Sequence, residues 1–399
     1  MTRSDSIQPA HAAPASAPEP VVQAVYASPV PAVSVSRPGS ATLALTIVGF
    51  SIAGLAGVLV LLYLVLSLGP GGVAIGGVLA LIPLGIVLLG IRWVDRWEPE
   101  PPVALGFGFL WGAAVAVFGA LVVGLLVEVS VAMAGGPAAD SEFFSAVIQA
   151  PLVEESGKGL GVLLIFLVVR KHFDGPVDGV VYAAIVAGGF AFTENILYFA
   201  QQIGQGTGVA EIFVLRGLMA PFAHVMFTSC TGIALGIAAR RTGTLGSIGA
   251  FLVGLVPAIL LHALWNGALF FVDDFFGYYF VVQFPLFVGA IALVLYLRRR
   301  EVALTRARIA EYAEVGWFAP EEVDALGTRA GRRTIKRWAD SRGLGPVMKK
   351  YTRDATRLAF TRQRLITGRA NAGAQGEEAA LLASLVATRA RLSAPTGQR

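Results

Sequence analysis

The chain has 399 residues, 55% hydrophobic and only 14% charged, with a mean hydropathy of +0.69. Soluble domains carry about 25% charged residues, so this composition excludes an ordinary soluble enzyme and points to a protein that crosses a membrane many times. The net charge of +5 is unevenly spread: residues 298–399 hold 21 Lys+Arg against 10 Asp+Glu, which leaves the rest of the chain net acidic.

Residues 1–38 are rich in Pro, Ala, Ser and Val and poor in charge. They cannot bury enough apolar surface to offset chain entropy, so they are expected to be a disordered tail. No apolar stretch follows a basic start within them, so they do not read as a signal peptide. Eight apolar stretches follow, near 41–67, 72–92, 103–134, 144–169, 178–201, 212–239, 246–270 and 277–297. Each comes close to the ~20 residues that cross the hydrocarbon as a helix. The single cysteine, Cys230, lies within one of them and reads as a small buried hydrophobe.

The connecting loops alternate in charge. Arg37, Arg92 with Arg96, Arg170 with Lys171, Arg240 with Arg241, and Arg298 to Arg300 fall at every second boundary, whereas Asp140, Glu142, Glu211, Asp273 and Asp274 mark the others. The positive-inside rule then predicts eight spans with both termini in the cytoplasm of a bacterium. Beyond the last span the chain turns polar. Helical patches are expected at Thr305 to Tyr312 and Pro320 to Ala325, a basic stretch at Arg332 to Trp338, a short linker at Asn371 to Gly376 and a terminal amphipathic helix from Glu377 to Leu392. The expected fold is therefore all-α: a polytopic bundle of about eight transmembrane helices. Its divisions are a tail (1–40), a membrane core (41–298) and a basic, partly helical cytoplasmic region (299–399). A basic segment beside a bilayer suits anionic lipid heads. No nucleic-acid motif accompanies it.

Polar side chains interrupt four consecutive apolar stretches: Glu154-Glu155-Ser-Gly-Lys158, Glu194-Asn195, His224 and His262-Ala-Leu-Trp-Asn266. An ionised group at the bilayer centre costs roughly 2.5–3.5 kcal/mol even on lenient insertion scales, so such residues mark function or pairing. At 1.5 Å per residue, Glu154, Glu155 and His224 fall roughly 15–17 Å below the outer surface, and Glu194 and His262 some 10–12 Å. All four clusters thus share one depth band. Lys158 is one helical turn from both glutamates, and His262 and Asn266 share a face. Taken singly these residues read as a structural ion-pair network, as interhelical hydrogen bonders or as a carrier's proton site. Together they are what a divalent metal and a general base require. Glu128 is expected to be buried near them, and Arg216 to be an interfacial, snorkelling residue. The soluble metalloprotease signature His-Glu-x-x-His is absent, so any ligands come from separate helices.

These elements, in this order, resemble the PrsW family of intramembrane proteases, related to the CAAX prenyl endopeptidases. The pattern is Glu154-Glu155-x-x-Lys158, Phe190-x-x-x-Glu194-Asn195, His224, and His262-x-x-x-Asn266. Two flanking stretches are similar as well, Asp95-Arg96-Trp-Glu98-Pro-Glu100 and Asp178-Gly179-Val-Val-Tyr182. The resemblance covers about residues 85–270 and implies metal-dependent cleavage of a membrane-anchored protein, an anti-sigma factor in the founding activity. It implies that Glu154 or Glu155 activates water beside Lys158. His224 and His262 would hold Zn²⁺ with Glu194 or a glutamate of the pair, and Asn195 and Asn266 would serve the oxyanion or orient ligands. Glu194 stands where the prenyl endopeptidases carry a histidine. The competing expectations are an ion-coupled carrier using the same Glu/His cluster as a relay, and a non-catalytic scaffold. No internal repeat supports the carrier.

Overall fold

The computed structural model describes residues 40–134, 142–170, 173–206, 208–239, 244–368 and 373–394. The expected tail at 1–38 and the loop charges Arg37, Asp140, Lys171, Arg240 and Arg241 lie outside them. The described residues form helices joined by short connections and contain no strand. Six of these helices are long and apolar enough to cross a membrane.

The first, α1 (Ser40–Val94), has 55 residues, which at 1.5 Å each would run about 80 Å, more than twice a bilayer's hydrocarbon. It breaks at Gly69, whose φ of 75° is open to glycine and costly for other residues, and Pro70 follows directly. Helix α2 (Pro102–Met133) contains a π-helical stretch at Trp111–Ala116. Helix α3 (Ala150–Val168) follows a π-helical stretch at Phe144–Gln149 and carries Glu154, Glu155 and Lys158, so it is too charged to count among the six.

Helix α4 (Pro176–Gln205) is the central post of the bundle, buried along most of its length and packed on α1, α2 and the helix after it. Asp178 caps its start by accepting hydrogen bonds from the backbone N–H groups of Asp174 and Gly175. Gly179 lets the neighbouring backbone come so close that a Cβ there would lie 2.0 Å from the Gly232 carbonyl oxygen. The next span, α5 (Val209–Ala239), holds a π-helical stretch at Phe213–Met219 and breaks at residues 220–222, where Pro221 removes an N–H. Helix α6 (Thr244–Phe271) and the span α7 (Phe275–Glu314) complete the membrane set.

Helix α7 runs on without a break through the expected boundary at residue 298 and into a second helical cluster. The helices α8 (Pro320–Gly327), α9 (Arg329–Asp340), α10 (Gly345–Ile366) and α11 (Ala374–Ser393) pack around Ile309, Phe318, Leu326, Met348, Leu358 and Leu385. This region is more extensively helical than the patches read from sequence, and α11 starts inside the stretch expected to be a linker. It seats on the membrane helices through paired polar contacts. Arg364 Nη1 meets Asp174 at 2.8–2.9 Å, Trp97 Nε1 donates to Thr305 Oγ1 at 3.0 Å, and the Arg332 guanidinium lies 3.3 Å from the Trp97 ring centre. The flanking motifs meet at the same face, where the Tyr182 hydroxyl donates to Glu100 Oε2 at 2.5 Å.

Candidate metal and catalytic centre

Glu154, Glu155 and Lys158 project from one face of α3, Glu194 and Asn195 from the middle of α4, His224 from just after the break in α5, and His262 from α6. Six of these side chains form one contact network. Glu155, fully buried, accepts from three sides: Lys158 Nζ at 2.5 Å, His262 Nδ1 at 3.0 Å and Thr228 Oγ1 at 2.8 Å. Those donors satisfy a carboxylate that would otherwise be prohibitively buried. Because His262 gives its Nδ1 proton to Glu155, its Nε2 is left as a lone pair, the form a metal takes.

Glu154 is differently placed. Its Oε2 lies 3.8 Å from Lys158 Nζ and 3.9 Å from His262 Nε2, and finds no hydrogen-bond partner although buried. Ligand atoms of Glu154, His224 and His262 all lie within 4.8 Å of one another. Two imidazoles and a carboxylate form a donor set that suits Zn²⁺ with one position left open, and the unpartnered Oε2 is a lone-pair donor in search of a cation. The residues present therefore fit a divalent metal.

Glu194 is held outside that triad. Its Oε2 lies 2.6 Å from Arg216 Nη2 and 2.8 Å from His224 Nε2, at ion-pair distance from both. The other His224 nitrogen, Nδ1, is 3.1 Å from Lys158 Nζ. Taking a metal thus requires His224 to give up one of two contacts. Phe190 floors the cluster, its ring centre 4.4 Å from Lys158 Nζ. Glu155, Lys158 and His262 keep at most 3% of their side chains exposed, whereas Glu154, His224, Glu194 and Arg216 keep 11–20%. The cluster has a sealed side, which sets geometry, and a partly exposed side.

Two placements differ from the sequence reading. Arg216 is no snorkelling residue: it pairs with Glu194, donates from Nε to Asn195 Oδ1 at 3.0 Å and lies 4.0 Å from the Tyr198 ring centre. It stands within the π-helical stretch Phe213–Met219. Glu128, expected to be buried, is exposed on the outside of α2 and touches no member of the cluster. Asn266 spends an Nδ2 proton on the Ala146 carbonyl at 2.7 Å, tying α6 to the π-helical stretch before α3. Thr228 was missed altogether. Its signal was its position one turn after His224, on the same face.

The profile described as PrsW family intramembrane metalloprotease matches residues 100–290, which contain every residue of the cluster and stop before α8. Protease PrsW of Bacillus subtilis is 30% identical over 205 residues, 51% of this chain and 86% of that protein. Protease PrsW of Clostridioides difficile is 33% identical over 155 residues, 39% of this chain and 62% of that protein, just under two thirds of its length. Protease PrsW of Oceanobacillus iheyensis is 30% identical over 184 residues, covering 80% of its length. No solved structure matches the chain.

Proposed function

Since this chain belongs to the PrsW family of intramembrane metalloproteases, a peptidase family, we propose that it hydrolyses a peptide bond of a membrane-anchored protein, with an anti-sigma factor as the substrate class. The observation that carries this reading is the approach of Glu154, His224 and His262, with His262 fixed by Glu155. Family membership favours it over the ion-coupled carrier.

In this reading Glu154, His224 and His262 hold Zn²⁺. When bound, the metal supplies Lewis acidity and makes water acidic enough to attack at neutral pH. Glu155 and Thr228 fix the His262 ring. Glu194, on the open side beside His224, takes the proton of the attacking water and returns it to the leaving amine. Asn195 accepts from Arg216 through Oδ1, which leaves its Nδ2 protons to serve the developing oxyanion. Lys158 compensates the carboxylates, and its flexible stem lets it release His224 while remaining on Glu155. Asn266 holds α6 in place. The roles expected of Glu154 and Glu194 are thereby exchanged: Glu154 becomes a ligand and Glu194 the proton carrier.

The membrane placement goes with this reading. The break at Gly69 supports two crossings by α1, and α3 crosses despite its three charges because Glu155 and Lys158 pair inside the bundle and Glu154 faces the same cluster. That makes eight spans with both termini cytoplasmic in a bacterial membrane. Residues 1–40, 41–298 and 299–399 serve as tail, protease core and cytoplasmic region, the last lying against anionic lipid heads. The test is the metal content of the purified full chain beside His224→Ala, His262→Ala and Glu194→Gln. Near-stoichiometric zinc in the wild type, lost in both histidine variants and kept in a proteolytically dead Glu194→Gln, is the expected result. Folded wild type without zinc under zinc-replete expression refutes the metal mechanism.

A further inference from the structure

Arg298 lies on α7 where the chain leaves the apolar stretch ending near residue 297. It is only 4% exposed, and its guanidinium lies 3.9 Å from the Trp93 ring centre. Its Nε and Nη1 are buried and have no hydrogen-bond partner. A guanidinium carries five donors and cannot shed its charge, so burial with two nitrogens unmatched requires an acceptor. Arg329, at the first position of α9, has a buried Nη2 in the same condition. Arg329 and Arg96 are the positive neighbours of Arg298, and Glu301 adds a negative charge. The first turn of α9 contains no acidic residue to offset the positive end of its dipole. Positive charge, unmatched donors and a helix N-terminus thus converge at one place.

We propose that Arg298 and Arg329, with Arg96 at the rim, bind a phosphate group, as carried by the headgroup of an anionic phospholipid. Guanidinium donors match phosphate oxygens in pairs, and helix N-termini favour the same charge. The level in the membrane agrees with a lipid source. Trp93 is 42% exposed at the end of α1, where an amphipathic ring sits at the headgroups, and Arg92, Arg299 and Arg300 are exposed around it. The inference rests on the membrane placement proposed above and not on proteolysis. A lipid held here would bridge α1, α7 and α9 and fasten the cytoplasmic helices to the membrane core.

The experiment compares the full chain in phosphatidylcholine nanodiscs with and without phosphatidylglycerol. Lipid retained after gentle release is counted by native mass spectrometry, and inorganic phosphate is titrated against thermal stability in detergent. Arg298→Gln and Arg329→Gln are compared with a triple Gln variant at Arg333, Lys336 and Arg337. The wild type is expected to retain phosphatidylglycerol in preference to phosphatidylcholine, and either single variant to lose about tenfold in that preference. Arg329 is only partly buried, so its variant remains informative if Arg298→Gln fails to fold. Stabilisation by inorganic phosphate that Arg329→Gln abolishes, without phosphatidylglycerol retention, keeps the site and makes its ligand a soluble phosphate. Equal retention in wild type and Arg329→Gln, with no phosphate effect, overturns the proposal. Loss confined to the triple variant overturns the site as well, while leaving the general attraction of the basic region for anionic lipid intact.

Discussion

Glu154 and Glu155 are adjacent in sequence and identical in chemistry, yet the structure separates what they do. Glu155 is fully buried and accepts from Lys158, His262 and Thr228. Glu155→Gln removes its charge from a buried pair and leaves the Lys158 ammonium with Glu154 at 3.8 Å as its remaining carboxylate contact. Breaking a buried pair on one side costs about 3–5 kcal/mol. Loss of a carboxylate that orients a metal-binding histidine also weakens metal affinity by about 10–100-fold. In Glu154 the contacts are long, at 3.8 and 3.9 Å, and Oε2 is unpartnered. Glu154→Gln removes a poorly compensated charge, so stability should move by about 1 kcal/mol or less, in either direction. Stoichiometric zinc and activity should nevertheless be lost, with only weak binding left to the histidines. Thermal unfolding in detergent, followed by tryptophan fluorescence and paired with zinc content, reads both quantities. Glu155→Gln melting with the wild type, or Glu154→Gln melting as early as Glu155→Gln, would refute the assignment.

Arg216→Gln frees Glu194 and Asn195 together, so turnover should fall by about 10–100-fold while zinc content holds; Arg216→Lys should restore only part, because one ammonium cannot replace the two separate guanidinium contacts. Turnover set against bound zinc decides this. In the loop after α1, burial pushes the Asp95 carboxyl up from 3.8 to about 6 against the opposing hydrogen bond from the Glu100 N–H, and burial raises Glu98 and Glu100 too. The folded state then keeps protons that the unfolded chain has released. Asp95 therefore contributes stability at low pH that is lost as pH rises from about 4 to about 6, and Glu98 and Glu100 act in the same direction. Melting temperatures at pH 5 and pH 7 should differ in that direction, and Asp95→Asn should narrow the difference.

The helical membrane architecture was legible because hydropathy is a local property. So were the four polar clusters, because charge inside apolar sequence is conspicuous. What the sequence could not supply was orientation around each helix. Glu128 and Glu154 both interrupt apolar runs, yet one faces outward and the other inward, and composition does not distinguish them. Arg216 sits near the start of its span, where snorkelling is the ordinary outcome, yet within the π-helical stretch Phe213–Met219 it faces Glu194. Such stretches have no sequence period. The helices beyond residue 298 were underestimated for a related reason: their shared core draws Ile309, Met348 and Leu385 from three helices far apart in sequence. The Arg364–Asp174 pair, spanning 190 positions, gives no local signal at all.

The charges of the cluster also bear on when it takes up metal. Glu154, Glu155 and Glu194 stand against Lys158 and Arg216, with both histidines neutral ligands when metallated, so one negative charge is in excess. The contacts locate it. Glu155 has three close donors and Glu194 Oε2 lies 2.6 Å from Arg216 and 2.8 Å from His224, whereas the nearest basic nitrogens to Glu154 Oε2 stand at 3.8 and 3.9 Å. A bundle buried in lipid cannot leave that charge unmet, and a proton or a metal cation meets it at the same lone pairs. Protons therefore compete with zinc, and affinity should strengthen as pH rises from 6 to 8. Substituting Glu154→Gln removes the carboxylate from that competition, so zinc should bind weakly and with a shallower pH dependence from the histidines alone. Chelator-buffered zinc titrations at both pH values measure this. A wild-type affinity that stays constant between them, or a Glu154→Gln variant that binds as tightly as wild type, would show that the excess charge and the metal site are separate.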